Sequence, residues 1–291
     1  MIEIRDMSQA DLSQGHRLSQ QAGWNQTLED WRNLFGLADG LAFVAARGED
    51  VLGTVMVLPQ DVVGWVAMML VDPRERRQGL GRALMEQCLH AARQWGFQAL
   101  GLDATALGQP LYERLGFTAH GVIQRHGGRL LHPDPSVIQP SAAESMRGVQ
   151  PFDRQRLIEL DRDVHGRDRS AWMDLLLGAR GFEVRTVRDD RDECQAFIAT
   201  RPGRVALQIG PCVAKIESVG VQALASTCAR LVGESVWIDV LEDQPAYSAV
   251  TSAFSLRVHR LFTRMWCWLE EPRPVVESFP SSGVTGGPDF G

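Results

Sequence analysis

The chain has 291 residues, about twice the length of a usual domain, so we expect two domains. Apolar residues make up 44% of it and charged residues 23%, as in an ordinary soluble globular protein, and no apolar run approaches the ~20 residues that cross a bilayer. The net charge of −6 argues against an affinity for nucleic-acid backbones, which depends on clustered cationic surface, so small molecules are the expected partners.

The N-terminal segment predicts a strand and two helices. Residues 2–5 predict a short strand, and Ser8 and Asp11 stand in the spacing of a capping box, which predicts a helix to about Ala22. A second helix is expected from Thr27.

Three strands and a long helix follow. Residues 40–46 and 51–58 predict a hairpin, and residues 64–71 are nearly all apolar, which predicts a central strand covered on both faces. A helix begins at Leu80 and ends at Gly96. We expect it to pack on the sheet through one stripe, formed by Leu80, Leu84, Cys88, Ala91 and Trp95. The first half closes with a strand, a short helix and a strand, over residues 99–105, 109–115 and 117–124.

The turn between the central strand and the long helix has the sequence RRQGLG over residues 76–81. Where a helix begins, several backbone N–H groups and the positive end of the helix dipole point at one spot, which suits a phosphate. Gly79 and Gly81 lack the Cβ that would keep a phosphate at a distance, and the arginines complement its charge. The alternative is a tight turn that only needs glycine.

The second half of the chain repeats the pattern of the first. Residues 132–143 contain three prolines and predict a linker between a domain over residues 1–131 and another over residues 144–270. Residues 271–291 are rich in Pro, Gly and Ser and predict a loosely attached tail. A diverged tandem repeat is expected, because four segments correspond: residues 145–153 to 3–11, 170–176 to 29–35, 205–214 to 64–71, and 236–241 to 99–105.

The five cysteines are scattered and have no metal-ligand spacing. They predict reduced, mostly buried thiols in a cytoplasmic protein, and no metal site. The N-terminus lacks the cationic and apolar stretches of a secretory signal, which favours the same location.

Two motifs together carry a family resemblance. Arg76, Gly79 and Gly81 match Arg/Gln-x-x-Gly-x-Gly/Ala, and residues 111–117 match Leu-Tyr-x-x-x-Gly-Phe, with Tyr112 as the tyrosine. On these residues the sequence resembles the GCN5-related N-acetyltransferase (GNAT) superfamily, which moves an acetyl group from acetyl-CoA to an amine. The resemblance implies an α/β (α+β) fold of two tandem units, each a mixed, mostly antiparallel sheet flanked by helices. Residues 209–217 lack the glycine motif, so the second unit resembles a degenerate copy.

The resemblance also implies roles for site residues. The edge of the central strand would pair with the pantetheine arm, the N–H groups of residues 77–82 would hold the CoA pyrophosphate, and Thr105 stands where the family often has Asn. Tyr112 would be the general acid, because a phenol is protonated at pH 7 and has a proton to give to a departing thiolate. Its alternative role is that of a core aromatic. The cofactor residues implied are Met69, Leu70, Val71, Arg76, Arg77, Gln78, Gly79, Leu80, Gly81, Arg82 and Thr105.

The acceptor side is less defined. Trp24, Asn25 and Trp31 lie in the segment that covers the acceptor in this superfamily, and packing is an equally good account of them. Trp172 at the corresponding place of the second half favours packing. The central strand offers no Glu as a base, so the amine would lose its proton to water, to Asp103 or to His120.

The expected reaction is acetyl transfer from acetyl-CoA to a primary amine of a small molecule. Two alternatives stay open: a non-catalytic acyl-CoA sensor or scaffold, and a protein acetyltransferase acting on lysines or N-termini.

Overall fold

The computed structural model describes residues 1–133, 146–150, 153–270 and 284–285. Most of the predicted linker and tail therefore lies outside the described residues, and the proposed domain boundaries stay a prediction. The first half contains β1 (Glu3–Asp6), α1 (Leu12–Gln21), α2 (Leu28–Leu37), β2 (Ala42–Arg47), β3 (Asp50–Gln60), β4 (Val63–Val71), α3 (Leu80–Trp95), β5 (Ala99–Ala104), α4 (Gln109–Arg114) and β6 (Thr118–Arg129).

The second half repeats this order of elements. It contains β7 (Met146–Gly148), α5 (Asp153–His165), α6 (Ser170–Gly178), β8 (Glu183–Arg188), β9 (Cys194–Arg201), β10 (Leu207–Ala214), α7 (Glu217–Arg230), β11 (Ser235–Leu241), α8 (Pro245–Ala253), β12 (Arg257–Trp268) and β13 (Val284–Thr285). The predicted tandem repeat is confirmed.

Local sequence sets the ends of the helices. The predicted capping box forms, with the backbone N–H of Ser8 donating to Asp11 Oδ2 at 2.7 Å ahead of α1. The α3 helix lies between two left-handed glycines, Gly79 at φ +85° and Gly96 at φ +87°, a backbone conformation that other residues adopt only with strain.

The described strands form one sheet in the order β1-β2-β3-β4-β5-β12-β6-β11-β13-β10-β9-β8-β7. Its pairs are antiparallel except β4 with β5 and β10 with β11, as the predicted mostly antiparallel fold requires. The two halves exchange strands: β12 lies between β5 and β6, and β6 pairs with β11. Residues of the second half thereby reach the first, which the sequence does not predict.

Helices cover both faces of the sheet. Adjacent residues of β2 alternate between them, because Val44 packs with α1 and α2 whereas Phe43 packs with α3. The predicted stripe of α3 is buried except for Trp95, which is 48% exposed and stacks on Phe97 with ring centroids 6.1 Å apart. The prediction that Trp95 packs on the sheet is therefore wrong, since Trp95 is the last residue of α3 and is half exposed. All five cysteines are buried thiols, as predicted.

A gap opens between β4 and β5. The two strands pair only from Val63 to Trp65 of β4. Beyond them β4 has a bulge at Met68, whose φ is +52° and whose carbonyl accepts from Thr54 Oγ1 at 2.7 Å. The facing edges of β4 and β5 are then left without a partner strand.

The corresponding gap of the second half is filled. The β10 and β11 strands also pair over three residues, and beyond them β13 pairs with both strands, with Val284 opposite Cys212 and Val240. Val284 is fully buried. The prediction of a loosely attached tail is wrong at Val284 and Thr285, because their strand completes the sheet.

We expect Val284→Asp to lower the free energy of unfolding by roughly 3 kcal/mol, because it buries a carboxylate in the hydrophobic core of the second half. Urea unfolding measures this change. The same substitution at Val62, which is 40% exposed, should change the free energy of unfolding by less than about 0.5 kcal/mol. Equal stability of the two variants would contradict the insertion of β13.

In the described part of the chain, no helix combines the length and the hydropathy that crossing a membrane requires.

Candidate active site

A cleft of about 1000 Å³ runs along the first half, from the turn ahead of α3 to α4. The open edge of β4 forms one wall, and residues 105–108 with α4 form another. The predicted cofactor residues lining it are Met69, Leu70, Val71, Arg76, Arg77, Gly79, Leu80, Gly81, Arg82 and Thr105. Gln78 does not line the cleft, because its side-chain amide donates to Glu75 Oε2 at 3.2 Å.

The turn leaves donors facing this cleft. The first regular helical bond of α3 runs from the N–H of Ala83 to the carbonyl of Gly79 at 3.0 Å. The N–H groups of Leu80, Gly81 and Arg82 have no acceptor among the described residues, and they lie at the positive end of the helix dipole. These N–H groups can therefore donate to a bound anion.

The glycine at position 81 keeps this part of the wall open. A Cβ there would lie 3.3 Å from both Leu111 Cδ2 and Met69 Cε, so a larger side chain would have to project into the cleft. Two guanidinium groups on its rim, those of Arg77 and Arg114, form no ion pair with any described residue. The turn therefore fits a phosphate-bearing ligand such as the pyrophosphate of CoA.

Tyr112 lies where the cleft meets a smaller pocket. Its ring packs against Phe117 with centroids 5.9 Å apart, and its hydroxyl donates to no described acceptor. Burial, together with the nearby Cys88, raises the pKa of Tyr112. The phenol consequently keeps its proton well above neutral pH. Thr105 supports the adjoining turn, since its hydroxyl accepts from the N–H of Gly108 at 3.3 Å.

The smaller pocket extends from Tyr112 between the separated strands β4 and β5. Both halves of the chain contribute to it, and two of its charged groups are already paired. Its lining residues are Trp24, Gln26, Val66, Ala67, Met68, Met69, Leu102, Asp103, Thr105, Tyr112, Arg125, Arg260 and Phe262. Trp24, Met69, Thr105, Tyr112 and Arg260 line the cleft as well, so they mark the junction of the two spaces.

Asp103 and His120, the two side chains predicted as candidates for the general base, are not placed to take a proton from the amine. Both carboxylate oxygens of Asp103 accept from Arg264, at 2.9 and 3.0 Å. Burial raises the pKa of Asp103, and Arg264 opposes that rise. His120 is exposed, bonds to Thr118 Oγ1 at 3.0 Å and lines neither space.

Two of the predicted acceptor residues do not reach the pocket. Trp31 is fully buried in the core, and its indole N–H donates to Ser19 Oγ at 3.2 Å. Asn25 connects the two halves: its amide donates to the carbonyl of Ala206 at 2.9 Å and accepts from the N–H groups of Val205 and Ala206 at 2.8 and 3.1 Å. Of the three predicted acceptor residues, Trp24 alone lines the pocket, while Trp31 packs in the core and Asn25 connects the two halves.

We expect Asn25→Ala to lower the free energy of unfolding by about 2 kcal/mol, because it leaves the buried N–H and carbonyl of Ala206 without partners. The acceptor KM should stay within twofold. Asn33→Ala is the matched control, since the amide nitrogen of Asn33 has no described partner. A selective rise of the acceptor KM in Asn25→Ala would instead support the original assignment.

Eight residues that line the inner pocket were not predicted as site residues, and three of them, Arg125, Arg260 and Phe262, lie in β6 or β12. Arg260 and Phe262 lie in β12 of the second half and reach the pocket through the exchange of strands, whereas Arg125 lies in β6 of the first half. Strand alternation indicates which side chains share a face, but nothing local indicates that β12 pairs with β5.

The second half lacks the corresponding chemistry. The same backbone bond joins Phe117 to Tyr112 and Leu256 to Thr251, each at 3.0 Å, so Thr251 occupies the position of the tyrosine. Its hydroxyl bonds to His126 Nδ1 at 2.9 Å in a buried contact. Among the described residues, no group of three or more His, Cys, Asp or Glu side chains is arranged to hold a metal ion.

Comparisons with known proteins match both halves of the chain to acetyltransferases. The model of the acetyltransferase (GNAT) family matches residues 4–117, and that of an acetyltransferase (GNAT) domain matches residues 157–273. The uncharacterized N-acetyltransferase YitH of Bacillus subtilis (strain 168) is 24% identical over 75% of this chain and 74% of its own length.

Two further proteins resemble this chain, one over a short segment and the other over the whole length. The glucosamine 6-phosphate N-acetyltransferase of Trypanosoma brucei brucei is 40% identical over 58 residues, which is 20% of this chain and 40% of that protein. The crystal structure of a putative acetyltransferase from Pyrococcus horikoshii has the same fold, with a TM-score of 0.79 and 18% identity over 100% of this chain and 96% of that one.

Proposed function

The chain belongs to the acetyltransferase (GNAT) family, as a tandem acyltransferase, and from that premise we propose that its first half transfers an acetyl group from acetyl-CoA to a primary amine of a small molecule. One observation carries this proposal. The cleft connects the anion-binding turn to Tyr112 and continues there into a pocket between β4 and β5.

This chain would hold acetyl-CoA at its pyrophosphate and along its pantetheine arm. The N–H groups of residues 80–82 and the guanidinium of Arg77 suit its pyrophosphate, and the open edge of β4 suits the amides of its pantetheine arm. When bound, acetyl-CoA supplies a thioester whose carbonyl carbon accepts a nucleophile.

The reaction is a direct transfer. The amine nitrogen forms a bond to the thioester carbon, the C–S bond breaks, and the departing thiolate takes the phenolic proton of Tyr112. Backbone N–H groups near Leu70 polarise the carbonyl, and the two spaces orient the reactants toward each other. The amine loses its proton to water, because Asp103 is engaged by Arg264.

The inner pocket has a volume of about 60 Å³ and is lined by strands of both halves, which supports a small acceptor. The named activity of the Trypanosoma relative, on an amino sugar phosphate, is in keeping with such an acceptor. We also propose one active site per chain, because β13 fills the second gap, and a cytoplasmic location, in which the five thiols stay reduced.

The test is acceptor-dependent release of CoA with a panel of free amines and, separately, lysine peptides. Activity on a free amine supports the proposal. Activity on peptides alone would indicate a protein acetyltransferase, and binding of acetyl-CoA without transfer to any acceptor would indicate a sensor.

A further inference from the structure

One cationic side chain of the second half lies at the active site of the first. Arg260 is carried by β12, which lies between β5 and β6. The side chain is half-buried and lines both the cleft and the inner pocket, as Tyr112 does. Residues 76–82 of the turn do not line the inner pocket, so Arg260 belongs to the acceptor end of the site rather than to the pyrophosphate end.

The charged side chains around Arg260 are paired with one another, whereas Arg260 has no counter-charge among the described residues. Arg125 donates to both oxygens of Asp239, at 2.8 and 2.7 Å, and Arg264 likewise neutralises Asp103. Arg260 forms no hydrogen bond or ion pair with any described residue. The pocket therefore has one positive charge without a counter-charge.

The position of Arg260 is unfavourable for the protein alone. Its cross-strand neighbour in the sheet is Arg125, and like charges directly opposite each other destabilise a pair of strands. Burial and Arg125 lower the pKa of Arg260, and Asp239 partly opposes this. An anion bound in the pocket would remove this repulsion.

We propose that Arg260 is a specificity-determining residue that binds an anionic group, a carboxylate or a phosphate ester, on the acceptor amine. A guanidinium presents a planar fork of N–H donors that matches either group. Its position at the junction lets it hold the far end of a short acceptor whose nitrogen lies beside Tyr112. This inference rests on the proposed function and narrows its substrate class.

The test uses matched acceptor pairs that differ only in the anionic group: an α-amino acid with its amide, and an amino sugar phosphate with the free amino sugar. The wild-type protein should favour the anionic member of one pair at least tenfold in kcat/KM, and the preferred pair identifies the group. Arg260→Gln should lose that preference through the acceptor KM, with the acetyl-CoA KM within twofold. Arg260→Lys should keep part of it.

Arg257→Gln is the matched control, because it removes the same charge from an exposed position of the same strand. It should keep the preference, and circular dichroism checks that each variant is folded. Preference for the neutral members, or an Arg260→Gln variant whose acetyl-CoA KM alone rises, would overturn this inference and leave the proposed function intact. Failure to acetylate any amine, with acetyl-CoA still bound, would overturn the proposed function and this inference with it.

Discussion

Tyr112→Phe should reduce kcat for acetyl transfer about 100-fold, because the departing thiolate loses its proton donor. The acetyl-CoA KM should stay within twofold, since the ring and its contact with Phe117 are retained. The raised pKa of Tyr112 also fixes the pH dependence: the protonated phenol is the active form, so kcat of the wild-type protein should not fall between pH 8 and 10 through its ionisation. Steady-state kinetics with the best amine of the panel measure both effects.

The chain supplies its own control. Tyr247, the other tyrosine, is buried on α8 of the second half. Tyr247→Phe should leave kcat within twofold. If both variants behave alike, Tyr112 is a packing residue and the thiolate takes its proton from water.

Gly81→Val should weaken acetyl-CoA binding at least tenfold. A Cβ at position 81 would already touch Leu111 and Met69, so the branched side chain must occupy the cleft in front of the unpaired N–H groups of residues 80–82. Isothermal titration calorimetry with CoA measures the loss, and CoA tests the turn independently of any acceptor.

Gly36→Val serves as the matched control, because Gly36 also lies in a helix but has open space around its Cα. Both variants exchange a helical glycine for a β-branched residue, so their intrinsic effects on helix stability should be similar. CoA affinity should be unchanged in Gly36→Val. Equal loss in both variants would mean that Gly81 acts through stability alone.

The parts of the site that local sequence determines were predictable. The turn at residues 76–81 could be interpreted from its own glycines and the helix start that follows. The same holds for the ends of α1 and α3, where capping residues and glycines decide the boundaries. The role of Tyr112 was implied by the resemblance of residues 111–117 to the family motif, and it stays a prediction.

The parts that depend on distant segments were not predictable. Asn25 bonds to residues 180 and 181 positions away along the chain, and its role as a connection between halves has no local signal. The place of β12 beside β5, and with it Arg260, is decided by which strand pairs best in the assembled sheet rather than by the sequence of β12. The same applies to β13, whose two residues are too few for a strand pattern.

The strand exchange gives the second half a function despite its lost motifs. It supplies Arg260 and Phe262 to the inner pocket, and through residues 205 and 206 it binds Asn25 beside Trp24. If the inner pocket receives the acceptor, as we propose, the second unit shapes the acceptor side of the first.

The most direct test of a single active site in the first half is the stoichiometry of acetyl-CoA binding, measured by isothermal titration calorimetry. We expect one equivalent per chain for the wild-type protein, and a loss of that binding in Gly81→Val. Two equivalents per chain, or one equivalent that binds as tightly to Gly81→Val, would contradict it.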